Sequence, residues 1–354
     1  MLWMLLLQSL PAFPCAAMIS REGEFVSSDA QEVIFRHTDA GSKVSYRVNY
    51  DGDASEFGWV IVVPGEVSDV AEGDEEEFSA LRDATDPGIR LPAVDSGGGG
   101  CDCDASLNPK SAGGGDGLNF ADTGGGVDIL IEGFSGPYEY TVLSADDDAD
   151  LIAWLDAHDF ELGGSETTLA EYVEEGGFSF VAVTLTPDEA DTPPEGRTLP
   201  PLDIWTDSTE LRFAARIAQT GTPEWVRTTV WVIGANAATI ESGWYPKDVT
   251  WLNAGDQDAS EFYAEHLQKL AISDPVYARI FTGQIDESWV TRLDTYAARR
   301  VHTVDPVFAF VLYGTDNKYR HLEIISDDTS SAWLFLPLLG LGWGLRRRRQ
   351  SPST

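Results

Sequence analysis

Carboxylates are the side chains of this chain with the best-placed chemistry, and three groups of them have spacings that could hold a cation. Asp51-x-Asp53-x-Ser55 and Asp256-x-Asp258-x-Ser260 carry the alternating oxygen ligands that open an EF-hand calcium loop. Both then depart from it. The sixth position holds Glu56 or Glu261 where a sharp turn needs Gly, and the twelfth holds Val62 or Leu267 where a bidentate Glu closes the shell. Asp146, Asp147 and Asp148 form the third group, directly ahead of an apolar helical pattern. Acidic side chains favour the positive end of a helix dipole, so capping is the preferred role there. Asp51, Asp53, Asp146, Asp147 and Asp148 therefore stand as the candidate metal ligands.

Other chemistry fails on the residues themselves. Gly-x-Ser-x-Gly breaks at Ser135, because Pro137 takes the closing glycine. No His-Glu-x-x-His, P-loop or dinucleotide fingerprint occurs, and no cofactor is expected. His37, His158, His266, His302 and His321 have no metal-site spacing. Cys101 and Cys103 cannot complete a tetrahedral zinc site unaided, and Cys15 lies in the leader. With 59 acids many spatial carboxylate pairs must exist, so no pair by itself points to glycoside hydrolysis. Trp59, Trp154 and Trp231 sit inside strand or helix patterns, which favours core packing over sugar stacking. No catalytic residue emerges.

The elements that must position these groups read as a mixture. Residues 32–36 and 44–50 alternate like strands around Gly41-Ser42, and Trp59-Val60-Ile61-Val62-Val63 within 57–64 suits a strand buried on both faces. Residues 75–85 read as a helix closed by Asp86-Pro87-Gly88. Residues 127–131, 138–143 and 178–185 read as strands; a helix leads from the Asp146–Asp148 caps to near His158, and a shorter one covers 169–175. Further on, 211–217 and 228–233 suggest neighbouring antiparallel strands. Asp258-Ala-Ser-Glu261 has capping-box spacing. Trp289, Leu293 and Tyr296 suggest another helix, and residues 308–313 a core strand. Without a regular βαβ period, the expected fold class is α+β, with largely antiparallel sheets and short packed helices in one or two subdomains.

Charge and the two ends speak to location. Met1 to Ala17 carries no charged side chain; a short leucine-rich core, the helix breakers Pro11 and Pro14, and Ala16-Ala17 have the form of a signal peptide cut after residue 17. Trp333 to Leu345 is an apolar run of 13 residues, followed by Arg346, Arg347, Arg348 and Arg349. As a helix that run reaches about 20 Å, short for a bilayer core of about 30 Å. The positive-inside rule would keep the arginines cytoplasmic and the body outside. The tail resembles bacterial C-terminal sorting signals, although residues 327–331 lack a Gly-Gly or Pro-Glu-Pro motif. Subtracting the arginines' +4 from the net charge of −36 leaves −40 on residues 18–345, which repels nucleic acid and anionic headgroups.

A series of pieces in order gives the chain a resemblance. They are Glu32-Val33-Ile34-Phe35; Tyr50-x-Gly52-Asp53-x-x-x-Phe57-x-Trp59-Val60-x-x-x-Pro64; Phe78-x-x-Leu81 with Thr85-x-Pro87; and Gly136-Pro137-Tyr138. Val142-Leu143-Ser144-Ala145, Trp154-Leu155, Tyr172-Val173 with Gly177-Phe178-x-Phe180-Val181-Ala182-Val183, Leu199-Pro200-Pro201-Leu202, Thr291-Arg292-Leu293 and Asp305-Pro306-x-Phe308 continue it. From residue 28 to 308 the chain resembles the bacterial domain of unknown function 2330 family. The resemblance implies an exported bacterial protein and supplies no activity or catalytic residue. The family's cysteine pair near the mature N-terminus is missing, with only Cys15 nearby.

The expected organisation is a signal peptide over 1–17, an N-terminal α+β part over 18–186 with a flexible glycine-rich insertion at 95–126, and a proline-rich connection at 187–201. A C-terminal α+β part over 202–326 and a membrane or sorting tail over 327–354 complete it. The expected function is a non-catalytic binding or structural role in an exported protein anchored at the cell envelope, or released to the surface after processing. Its expected partners are the membrane, through Trp333 to Leu345 and Arg346 to Arg349, an export or sorting peptidase, and an unidentified envelope ligand, with no nucleic acid. An envelope hydrolase with paired carboxylates and a cation-dependent adhesion module are the alternatives.

Overall fold

The computed structural model describes residues 17–20, 30–38, 40–49, 57–90, 126–160, 162–186, 199–219, 224–311 and 320–326. In chain order the first elements are β1 (Ala17–Ser20), β2 (Ala30–Thr38), β3 (Gly41–Val48), β4 (Phe57–Pro64), β5 (Val67–Glu72), α1 (Glu75–Thr85) and β6 (Gly88–Arg90). Then come β7 (Val127–Ser135), β8 (Tyr138–Ala145), α2 (Asp148–Ala157), α3 (Glu166–Glu175), β9 (Phe178–Leu185), β10 (Leu202–Thr206), β11 (Leu211–Arg212) and β12 (Trp225–Gly234). The last are β13 (Ala238–Ser242), β14 (Tyr245–Asp248), β15 (Trp251–Gly255), α4 (Ala259–Leu270), β16 (Val276–Ile285), β17 (Ser288–Ala298), β18 (Val307–Phe310), β19 (Arg320–His321) and β20 (Glu323–Ser326).

Two sheets form the body. One has the order β1-β4-β9-β8-β7 and is antiparallel throughout. The other runs β14-β16-β17-β12-β2-β3-β10-β5, with β19 beside β16. In it β12 and β2 are parallel, so strands from before and after residues 187–201 share one sheet. Two three-stranded sheets, β11-β18-β13 and β15-β20-β6, attach to this body.

Side-chain alternation explains the layering. Along β4, Trp59, Ile61 and Val63 enter a central core while Val60 and Val62 enter an outer one. On β9, Val181, Val183 and Leu185 face the central core, and Phe180 and Ala182 face away from it. The larger sheet does the same: Val33 and Phe35 of β2 point to the central core and Ile34 to a third core. The helices seal the two outer faces. Leu151 and Leu155 of α2 with Leu169 and Tyr172 of α3 cover the five-stranded sheet, and Phe78 and Leu81 of α1 with Tyr263 and Leu267 of α4 cover the larger one. Period-2 side chains thus feed two different apolar cores, and the result is four layers, helix–sheet–sheet–helix.

The expected α+β class with short packed helices is therefore corrected to a β-rich fold of several sheets, with four α-helices among the described residues. The physical reason is burial on both faces, which removes the polar alternation that marks a strand. Trp289, Leu293 and Tyr296 lie on strand β17, six of whose residues from Val290 to Thr295 are buried in succession, and not on a helix. Residues 211–217 hold only the two-residue strand β11 before a 3-10 turn at Ala215–Gln219, and β12 pairs with β17 and β2 instead of β11. Among the described residues no helix is long and apolar enough to cross a membrane. Residues 1–16, 95–125, 187–198 and 327–354 lie outside the described residues.

A buried ionic group fastens both helices of one outer layer to their sheet. Arg292 of β17 grips Asp294 with two hydrogen bonds, Nε to Oδ1 at 2.9 Å and Nη2 to Oδ2 at 3.1 Å. Its Nη1 donates to Asp86 at the end of α1 (2.5 Å) and to Thr85 Oγ1 (3.2 Å), and the Trp231 ring lies 5.3 Å beneath the guanidinium. From α4, Tyr263 donates its hydroxyl to Asp294 Oδ2 at 2.9 Å. Burial works against the charge on Arg292, but Asp294 and Asp86 outweigh it and raise the pKa.

Replacing Arg292 by Met should leave Asp294 buried without its cation and destabilise the protein by roughly 3–5 kcal/mol. Urea denaturation of the two proteins measures this; a loss below about 1 kcal/mol would contradict the assigned role.

Candidate functional site

A cleft of about 400 Å³ opens where loop ends from both sheets meet. It falls within the size range of small-ligand pockets. Its parts are the Gly65-Glu66 turn between β4 and β5, the end of β8 at Ser144 to Asp146, the Gly176-Gly177 link between α3 and β9, and Asp207 after β10. Leu130, Val173, Phe178 and Phe180 supply an apolar wall.

Backbone geometry fixes the opening. Gly65 has φ +84, and a Cβ there would fall 2.5 Å from Asp207 Oδ1 and 2.8 Å from the Ser208 nitrogen, so a side chain is barred on both counts. Its N–H donates to the Gly177 carbonyl at 2.8 Å, while Ser179 Oγ donates to the Gly65 carbonyl at 2.8 Å. The Glu66 N–H donates to Asp207 Oδ1 at 2.8 Å, and the Asp207 N–H returns to the Glu66 carbonyl at 3.1 Å. Thr206 Oγ1 donates to the Pro64 carbonyl at 2.8 Å, completing the tie between β4 and β10. Gly176 and Gly177 also have positive φ, but nothing lies within 4 Å of a Cβ at either, so that stretch borders open space.

Behind the cleft stands a charge network centred on the buried Asp305 and reaching the surface at Glu175 and Glu210. Tyr172 of α3, which also lines the cleft, donates its hydroxyl to Asp305 Oδ1 at 2.8 Å. The Arg216 backbone N–H reaches the same oxygen at 2.9 Å, and its Nε reaches Oδ2 at 3.1 Å. Arg216 continues to Glu175 at 2.7 Å and lies 4.1 Å over the Tyr172 ring. Arg212 bonds Glu175 at 2.5 Å, pairs closely with Glu210, and sits 5.3 Å over Phe178. Burial lifts Asp305 above the usual 3.8, an effect that Arg216 and Tyr172 offset in part. Burial would lift Glu175 as well, but hydrogen bonds from Arg212 and Arg216 prevail and lower it. Tyr172 is raised, first by burial and then by the Asp305 charge, so it stays a neutral donor.

The sequence candidates fall into distinct places. Asp146 lines the cleft. Asp147 is the N-cap of α2, accepting from the N–H groups of Ala149 at 3.0 Å and Asp150 at 3.3 Å, and Asp148 is in that helix's first turn. Asp258 caps α4 in the same way, at 3.0 Å from the Ser260 nitrogen and 2.9 Å from that of Glu261. Asp51, Asp53, Cys101 and Cys103 lie outside the described residues. Among the described residues no three His, Cys, Asp or Glu side chains are grouped to hold a metal ion. Trp59 and Trp231 are fully buried in the cores. Trp154 stacks on His158 at 3.8 Å, and His266 is half-buried with its pKa lowered by burial and by Lys247 and Lys269. Glu66, Asp207, Tyr172, Arg216 and Asp305 were not singled out as a site. Their nearest signals were Pro64, Ser144-Ala145, Tyr172-Val173, Gly177 and Asp305-Pro306 in the family-like series.

The chain belongs to a family described as an uncharacterized protein conserved in bacteria, domain of unknown function 2330, whose model matches residues 11–309. No curated protein matches it. Among solved structures, the crystal structure of baculovirus P35 is similar at 10% identity and a TM-score of 0.33, over 86% of this chain and 100% of that one. A likeness so slight carries no argument.

Two consequences of this network are measurable. Tyr172→Phe removes one of three donors to Asp305 and should destabilise by roughly 1.5–3 kcal/mol, whereas Arg216→Met strands the buried carboxylate and should cost roughly 3–5 kcal/mol. Denaturation midpoints in the reverse order would refute the hub. His302, three residues before Asp305, is packed against Trp244 with ring centroids 5.1 Å apart, and burial pushes its pKa down from 6.5 to about 4, against the pull of the Arg299 and Ala298 carbonyls. Between those values the unfolded chain takes a proton that the fold excludes. Stability from this group is therefore full above pH 6.5 and falls, by roughly 3 kcal/mol in all, as pH drops toward 4. His302→Asn should lose much less between pH 7 and pH 4.5 than the parent protein. Equal losses would show that His302 does not contribute.

Proposed function

We propose that this chain is an exported bacterial cell-envelope protein that binds a ligand in the cleft bounded by Gly65-Glu66, Gly176-Gly177 and Asp207, and does not transform it. The observation that carries the reading is how the charged groups around the cleft are used. Asp305 and Glu175 are committed to Tyr172, Arg216 and Arg212, and Asp207 holds the Glu66 N–H. The carboxylates with the richest hydrogen bonding therefore act as braces for the walls. A rigid, partly apolar opening with braced walls suits capture of a ligand.

The ends of the chain support the location. The leader up to Ala17 has the form of a signal peptide. Trp333 to Leu345 with Arg346 to Arg349 would hold the C-terminus at the membrane with the acidic body outside, or serve as a sorting signal for a peptidase.

Intact mass of the native protein in separated cytoplasmic, membrane and soluble envelope fractions tests the location. The expected species begins at Met18 and sits in the membrane fraction with Arg346–Arg349 present, or at the surface after a cut in the tail. A cytoplasmic species that retains residues 1–17 would refute export. Hydrolysis of an envelope polymer, abolished by substituting one cleft carboxylate, would replace the binding role with catalysis.

A further inference from the structure

The cleft's charge and its lining together specify a class of ligand, an inference that rests on the binding role just proposed. Its rim carries the exposed Glu66, Asp146 and Asp207, each from a different segment of the chain, and among the described residues no Lys or Arg lines it. The arginines behind the wall are occupied elsewhere: Arg212 with Glu175 and Glu210, Arg216 with Asp305, Glu175 and Glu171. Among the described residues no basic side chain pairs with Glu66, Asp146 or Asp207. In a chain of net charge −36, a cation entering this opening meets attraction from the rim and from the whole body.

The kind of cation follows from the rest of the wall. A calcium ion wants six to eight converging oxygens, and among the described residues no three acidic or other metal-binding side chains come together for one. Leu130, Val173 and Phe178 offer instead apolar surface in the same cleft, and nothing lies within 4 Å of where a Cβ at Gly176 or Gly177 would stand. Apolar surface gains from covering methylene groups, while the carboxylates hold an ammonium by charge-assisted hydrogen bonds. We propose that the cleft takes an alkyl ammonium, either a lysine side chain or a free alkylamine, with the stem against Leu130, Val173 and Phe178 and the charge attracted by the rim acids Glu66, Asp146 and Asp207, which need not converge on one point as metal ligands must.

The test is methyl NMR of the full chain titrated with pentylammonium, with neutral 1-pentanol, and with N-acetyl-lysine N-methylamide. Saturable shifts of the Leu130 and Val173 methyl groups are expected with the two cations and not with the alcohol. The double variant Glu66→Gln, Asp146→Asn should weaken pentylammonium binding by about tenfold or more at an unchanged melting temperature. Asp207 is left in place because it holds the Glu66 N–H. Tighter binding of the blocked lysine than of pentylammonium would make a peptide the source, and the reverse order a free amine; both uphold the proposal. Equal shifts from the alcohol would overturn the choice of a cation while leaving the cleft a binding site. Undiminished binding in the double variant would overturn the role of the rim acids, and no shift with any probe would overturn the cleft reading as well.

Discussion

The parallel pairing of β2 with β12 is the constraint on which the rest of this protein depends. Arg227 to Ile233 align with Ala30 to Arg36, bringing together segments almost two hundred residues apart. Parallel neighbours cannot be joined by a tight turn, so the intervening chain must leave the sheet and return. Here the chain between them adds β3 and β5 to the larger sheet and builds four of the five strands of the other, β4, β7, β8 and β9, with helices α2 and α3, before β10 and β12 rejoin the larger sheet. The central core is what lies between the two sheets as a consequence. Val33 and Phe35 from one side of the join, Val230 and Val232 from the other, and Trp59, Ile61 and Val181 from the five-stranded sheet all meet there.

That arrangement also places the candidate site. The cleft lies where β4, β8, β9 and β10 deliver their ends, so its acids come from segments remote in sequence, two of which, those of Glu66 and Asp207, are tied by hydrogen bonds between strand termini. Two buried charge groups serve the layers differently. Arg292 and Asp294 fix α1 and α4 to the larger sheet, while Asp305 and Arg216 fix α3 to the segment preceding β18. Each is a place where removing one partner leaves an unpaired charge in the interior, which is why single substitutions there weigh more than their number of hydrogen bonds suggests. The turn at Gly65 is similar in kind, since the close approach of Asp207 requires that no side chain be present.

Local signals predicted the elements well wherever an end was chemically marked. Residues 75–85 form α1 because Asp74 caps the start, accepting from the Glu76 N–H, and Pro87 forbids continuation. The strands over 57–64 and 178–185 stand with the boundaries their apolar runs gave them. Long-range partners were beyond such signals. The misreading of 289–296 came from a strand with both faces buried, where Trp289, Leu293 and Tyr296 mimic helical spacing by chance. The mixed class inferred from such segments gave too much weight to helices that only cover the outer faces of the sheets. At the site, Asp146 was visible as a helix-start acid, but nothing local connects it to Glu66 or Asp207. Asp305 was likewise visible only beside Pro306, with no local sign that Tyr172 and Arg216 meet it.

Native-state hydrogen exchange at the β2–β12 join tests the central claim most directly. If the parallel pairing unites the protein, the amides of Val33 and Phe35 on β2 and of Val230 and Val232 on β12 should open only with global unfolding, at one common free energy that falls with denaturant at the full unfolding slope. Opening of the β2 amides at a distinctly lower free energy, with β12 still protected, would contradict it.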